Sequence, residues 1–275
     1  MAWAVDTASE LSAIDWSAFY SWKGVYPQWA GRYFSGAFTW SAGETKAKTQ
    51  TNGVLVKIAP ISYPNSAGQQ TTGAAGNSAG ISDANTTCGN ITSAIDGGQL
   101  SLPSGGFVVV WLDVEQGVNL TPAYWAGWAT TVNGYRAVGG APFLPGIYTS
   151  YTKDTATGIW YPQSSVQSCL NTVCKYWPND YYFCQGLWAN EPEPCTYATD
   201  PTAVPDWSVL GNFTQTGCGN TPSPVPLYLY QYMERTTATP AVPSGCGVSN
   251  FAGGQNLDLD SSDDRGGESY MLTIE

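Results

Sequence analysis

The stretch Phe107–Gly117 reads FVVVWLDVEQG, a run of strand-forming residues that finishes on two carboxylates, Asp113 and Glu115. A strand turns successive side chains to opposite faces. Phe107, Val109, Trp111, Asp113 and Glu115 therefore share one face, and Val108, Val110, Leu112 and Val114 the other. The valine face suits burial beneath helices, as in a parallel sheet. The first face begins apolar and turns acidic. Two like charges there are costly unless that strand end meets solvent, a partner or a substrate. Paired carboxylates are also what general acid–base catalysis uses. The chain contains no histidine. Histidine triads, imidazole bases and histidine metal sites are thereby excluded, and proton transfer falls to Asp and Glu, with Tyr in support. A strand-end acid can instead cap the next helix or pair with a cation such as Arg32. For Asp113 and Glu115 no Lys or Arg stands nearby in sequence, which favours the functional reading.

The elements that would position these acids follow from alternation and punctuation. Strand candidates are 3–6, 29–34, 54–61, 107–115, 143–150, 183–189, 227–233 and 256–260. A helix over 12–22 opens on Ser12 with Asp15 three residues later, like a capping box. A second, over 41–53, stops at Asn52-Gly53. Thr121 and Pro122 open a third over 122–136, as N-cap and first helical residue. A fourth covers 165–177. Beyond 189 the connections are rich in Pro, Gly, Cys and Thr and read as loops. Strands alternating with helices imply a parallel α/β sheet, and eight strands suggest a closed, TIM-like barrel in one domain over 1–275. In such barrels the reactive groups sit at the C-terminal strand ends. If first and last strands are neighbours, Asp6, Asp113, Glu115, Asp258 and Asp260 converge on one rim.

Composition sets the surroundings. Net charge is −11, with ten Lys and Arg spread along 275 residues, which argues against nucleic acid or anionic lipid as partner. Charged residues make up 11%, against about 25% in ordinary soluble domains, so Ser, Thr, Asn, Gln and Gly must cover the surface. Seven cysteines suggest an oxidising compartment and a disulfide-stabilised fold, most simply three bridges with Cys88 left free. Cys169 and Cys174 share one helix and point to different sides, so they are not expected to pair. No metal site is expected: there is no CxxC pair and no histidine. Sequons at Asn85, Asn90, Asn119 and Asn212 add to a secreted, glycosylated reading. No signal peptide is visible, and no apolar run is long enough for a membrane span.

The pieces Trp3–Asp6, Ile14–Trp16, Gly31–Phe34, Leu112–Glu115, Gly146–Ser150, Leu187–Glu191, Gln231–Tyr232 and Leu257–Asp260 stand in the order found in a known group. The chain resembles the glycoside hydrolase family 25-like barrels, and most closely the secreted fungal muramidases of the related family 184. The resemblance implies a (β/α)5(β)3 barrel and hydrolysis of the β-1,4 bond between N-acetylmuramic acid and N-acetylglucosamine in peptidoglycan, by a secreted monomer without a cofactor. It implies Glu115 as general acid, Asp113 and Asp6 as electrostatic partners, and Asp258 as a residue that shapes the site. Tyr148, Trp188 and Tyr232 end strands and are candidates to stack on sugar faces. Gln231 is a candidate for a substrate amide, and Arg32 is grouped with these substrate contacts. The chain departs from the family at Leu259-Asp260, where Leu-Asn is usual, and 62–80 reads as a long inserted loop. An acidic optimum is expected, because the acidic chain and an anionic wall repel less once carboxylates are protonated. The alternatives are a glycosidase acting on another polysaccharide, and an inactive carbohydrate-binding barrel.

Overall fold

A computed structural model describes residues 2–103, 106–137, 140–176, 184–190, 206–216, 223–233, 257–262 and 267–275. Its strands are β1 (Ala2–Thr7), β2 (Trp29–Tyr33), β3 (Lys57–Ser62), β4 (Leu100–Ser101), β5 (Val108–Val114), β6 (Phe143–Lys153) and β7 (Trp160–Pro162). They continue with β8 (Leu187–Asn190), β9 (Phe213–Gln215), β10 (Ser223–Val225), β11 (Leu227–Met233), β12 (Asp258–Ser262) and β13 (Leu272–Ile274). Eight of them close a barrel in the order β2, β1, β12, β11, β8, β6, β5, β3, with β3 returning to β2. These are the eight strands expected from alternation. Neighbours are parallel from β1 through β2, β3, β5, β6 and β8 to β11. Only β12 runs the other way, antiparallel to both β11 and β1. Its first residue therefore lies at the rim where the parallel strands end, and Asp258 faces Asp6 directly across the ladder.

Side-chain alternation separates two apolar layers. Trp29, Ala59, Ile61, Val109, Trp111, Trp188 and Leu229 fill the barrel, while Val108, Val110, Leu112 and Val114 pack outward beneath the helices. Three indoles set the interior. Trp188 meets Trp29 at 5.5 Å and Trp111 at 5.8 Å between ring centroids, both edge to face. Gly31 makes room for them: a Cβ there would lie 2.5 Å from the Trp188 ring.

The helices are α1 (Trp16–Lys23), α2 (Lys46–Gln50), α3 (Ser66–Gln69), α4 (Gly73–Asp96), α5 (Pro122–Gly134) and α6 (Ser164–Tyr176). Thr121 caps α5 as expected, accepting from the Tyr124 N–H at 3.3 Å, and the 41–53 segment ends at Asn52 and Gly53, both at positive φ. Helix α1 begins later than expected. Asp15, not Ser12, is its N-cap, accepting from the Ala18 N–H at 2.9 Å. Ser12 lies in a 3-10 turn whose Leu11 N–H is taken by Glu44 at 3.1 Å. The expected loop over 62–80 is a larger correction. It holds α3 and the first turns of α4, a helix of 24 residues. Its Gly, Ala, Ser, Asn and Thr residues carry a weak apolar stripe because α5 must come close. A Cβ at Gly80 would lie 2.2 Å from the Tyr124 carbonyl oxygen, and one at Gly127 would lie 2.2 Å from that of Asn77.

Among the described residues Cys88, Cys169 and Cys184 are free and buried. The expected disulfide stabilisation is absent there, and that part of the core is held by packing. Cys195, Cys218 and Cys246, with the side chain of Cys174, lie outside the described residues. Two of the four sequons fall within α4, and the Asn90 amide is committed to the Phe34 carbonyl at 2.7 Å. Among the described residues no helix is long and apolar enough to cross a membrane.

Candidate active site

Strand β5 delivers Asp113 to the barrel rim and then breaks. Glu115 opens a turn in which Val118 donates to its carbonyl at 3.1 Å, and Gly117 supplies the positive φ of 80° that the reversal requires. Two buried glutamines hold this backbone. Gln69 Nε2 donates to the Asp113 carbonyl at 2.7 Å, and Gln163 Nε2 to the carbonyls of Val114 and Glu115, each at 3.1 Å. The acids thus end the strand where the chain is pinned on both sides. Across the rim, β1 and β12 present Asp6 and Asp258. Between these walls lies a cleft of about 430 Å³, lined by Asp6, Asp113, Glu115 and Asp258 together with Tyr33, Tyr148, Asn190 and Gln231.

The hydrogen bonds within the cleft are directional. Asn190 Nδ2 donates to the Tyr148 hydroxyl at 3.1 Å, which donates to Gln231 Oε1 at 2.8 Å. The Tyr33 hydroxyl donates to Asp113 Oδ2 at 3.3 Å. Burial and then the neighbouring Glu115 charge push the Asp113 carboxyl up to about 8, against the pull of Tyr33. Burial, then Asp260 and Asp113, hold Asp6 well above the ordinary carboxylate range, although a hydrogen bond with Asp258 pulls it down. One layer deeper, Asp260 accepts from Trp188 Nε1 at 3.0 Å and is also held high, by burial first and Asp258 second. The second oxygens of Asp6 and Asp260 are buried with no hydrogen-bond partner. Glu115 differs from these acids in standing exposed at the mouth.

The expected site residues divide accordingly. Asp6, Asp113, Glu115, Asp258, Tyr148 and Gln231 meet in the cleft. Trp188 does not: it is fully buried in the barrel, one layer beneath Asn190 of the same strand. Arg32 faces outward, away from Tyr33 and Gly31, and is spent on Glu44, with Nε to Oε2 at 2.6 Å and Nη2 to Oε1 at 2.8 Å. The side chain of Tyr232 lies outside the described residues. The aromatic wall is a different group. Tyr33, Phe38 and Tyr63 contact one another with centroids 5.4 to 6.0 Å apart. Phe38 and Tyr63 are exposed, and the charges of Glu115 and Asp113 act on Tyr63, placing this wall beside the two acids. Tyr33 was legible as the last residue of β2 on the inward face; Phe38 and Tyr63 lie in connections without periodicity. Among the described residues no cluster of three or more His, Cys, Asp or Glu is arranged to hold a metal ion.

Neither a known protein-family model nor a curated protein matches the chain. A solved structure does resemble it: the 1.07 Å crystal structure of an uncharacterized B. stearothermophilus protein, 18% identical, with a TM-score of 0.55 over 98% of this chain and 100% of that one. At that identity the likeness is one of fold.

Proposed function

We propose that the chain is a secreted muramidase that hydrolyses the β-1,4 bond between N-acetylmuramic acid and N-acetylglucosamine in peptidoglycan. In this reading the barrel is of the (β/α)5(β)3 kind that the family 25-like resemblance implies. The observation that carries the proposal is one cleft in which an exposed glutamate stands over buried acids from β1 and β5 and a half-buried one from β12. Glycoside hydrolysis asks for a proton donor at the leaving oxygen and for negative charge near the anomeric carbon. Glu115, at the mouth, protonates the glycosidic oxygen. Asp6 and Asp258 face each other and share a proton, and the single charge left between them stabilises the oxocarbenium-like transition state; water then adds to the anomeric carbon and its proton returns to the Glu115 carboxylate. Asp113, held neutral below about pH 8 and oriented by Tyr33, hydrogen-bonds the 2-acetamido group. Phe38 and Tyr63 present apolar faces for a sugar ring.

The test is release of new reducing ends from purified peptidoglycan near pH 5 (roughly the acidic range in which the buried acids keep their protons), with the terminal sugar identified by mass spectrometry. Wild type should liberate ends in N-acetylmuramic acid. Glu115→Gln should fold normally and lose about 10²- to 10⁴-fold in rate. No release by wild type, or full activity in the variant, would sink the proposal.

A further inference from the structure

Strand β6 does not stop at the rim. Beyond Ser150 it pairs with β7 as a hairpin that sets Thr152 opposite Tyr161 and Lys153 opposite Trp160. A second cavity, of about 410 Å³, lies beside this hairpin and the first turn of α6, lined by Thr152, Lys153, Asp154, Tyr161, Ser164 and Gln167. The ring of Tyr161 is fixed before any ligand arrives. Gly211 lies against it so closely that a Cβ there would be 2.2 Å from the ring. The Gly211 N–H is bonded to the Trp160 carbonyl at 2.7 Å, and Leu210 bridges to Trp160. Tyr161 is left half-buried in the cavity wall. The result is a rigid apolar surface that needs no ordering on binding. Hydroxyls, an amide and a carboxylate surround it. Lys153 also borders the cavity, but its ammonium lies over the Trp160 ring, 5.3 Å from the centroid. A flat apolar platform ringed by hydrogen-bonding groups is what a pyranose requires.

We propose that this cavity is a second carbohydrate subsite, holding a sugar of the same glycan strand that is cut at Glu115, with Tyr161 as platform. The inference rests on the glycosidase reading. The strand geometry supplies the continuity. Ser150 and Tyr151 line the acidic cleft and Thr152 lines the second cavity, so the two cavities adjoin along β6, with Ser150 and Thr152 roughly 7 Å apart along the strand.

Binding is measured with peptide-free peptidoglycan strands and with their repeating disaccharide, using the full chain carrying Glu115→Gln to prevent turnover. Tyr161→Ala should weaken the long strands about tenfold and leave the disaccharide unchanged, while Tyr161→Phe should bind both like the parent. Equal affinity of parent and Tyr161→Ala for long strands overturns the subsite, as does an equal loss on both lengths. Hydrolysis measured in parallel with Glu115 intact separates the two readings. Strands that bind through Tyr161 but are never cut remove the muramidase and leave the subsite. Strands cut equally well with Tyr161→Ala do the reverse. Binding of neither length overturns both.

Discussion

Two buried ionisable groups sit on opposite faces of the same barrel wall and are treated in opposite ways. On the outer face, Arg32 and Glu44 are fully buried and fully matched. The guanidinium spends its donors on both Glu44 oxygens, on the Thr7 carbonyl at 2.8 Å and on the Phe38 carbonyl at 3.0 Å. On the inner face, Asp6 and Asp260 are as deeply buried, yet each keeps an oxygen without a partner. Among the described residues no Lys or Arg lines the acidic cleft. A matched pair stores its charge and supports the fold. Unmatched acids hold their protons instead, and Asp6, a protonated acid with a bare oxygen in the lining of the cleft, is a group prepared for a ligand.

The largest effect should come from breaking the matched pair. Arg32→Met would leave Glu44 buried and uncompensated, at a cost of about 3–5 kcal/mol in urea denaturation. A loss below about 1 kcal/mol would mean that water reaches Glu44 and that the two regions differ less than their geometry suggests. The second effect is in pH. Asp113, Asp6 and Asp260 bind protons more tightly folded than unfolded, where a carboxyl titrates near about 4. Their contribution to stability is complete below that value and is lost as pH rises toward the folded values, about 8 for Asp113. Stability should therefore fall between pH 5 and 8, by up to about 1.4 kcal/mol per unit for each titrating group. Asp260→Asn, which mimics the neutral acid, should flatten one group's share, and a wild-type curve that is flat or rising would show the acids to be ionised and compensated. The smallest effect belongs to the aromatic wall. Phe38→Ala and Tyr63→Ala should each raise KM roughly three- to tenfold, with stability within about 0.5 kcal/mol of wild type, as expected for exposed side chains.

Much of this arrangement was legible in the sequence where the backbone imposes a period. All eight barrel strands were marked by alternation, Asp6, Asp113 and Glu115 by their place at strand ends, and Asp258 by its place within the last strand together with the family resemblance. Parity also held the signal that would have moved Arg32 out of the cleft, while for Trp188 the signal was depth along the strand. Arg32 alternates with Gly31 and Tyr33, and Trp188 lies one inward step below Asn190. Helix α4 was hidden for a physical reason: a helix that touches its neighbour through Gly80 and Gly127 needs small residues where an apolar stripe would announce it. Phe38 and Tyr63 were hidden because connections carry no period, and the depth of Asp260 depends on how far β12 slides along β1.

The pairing of β1 with β12 also orders events in time. On one side β1 pairs early with β2, but on the other residues 2–6 pair with 258–262, so one wall of the cleft joins the first and last strands of the barrel. Contacts of such sequence separation form late, because the loop between them must first be gathered in. During synthesis β1 leaves the ribosome long before β12 exists. Asp6 meets Asp258 only after residue 258 has emerged, and the assembly of the acidic cleft is in this sense a late step of folding that a nascent chain ending before β12 cannot take.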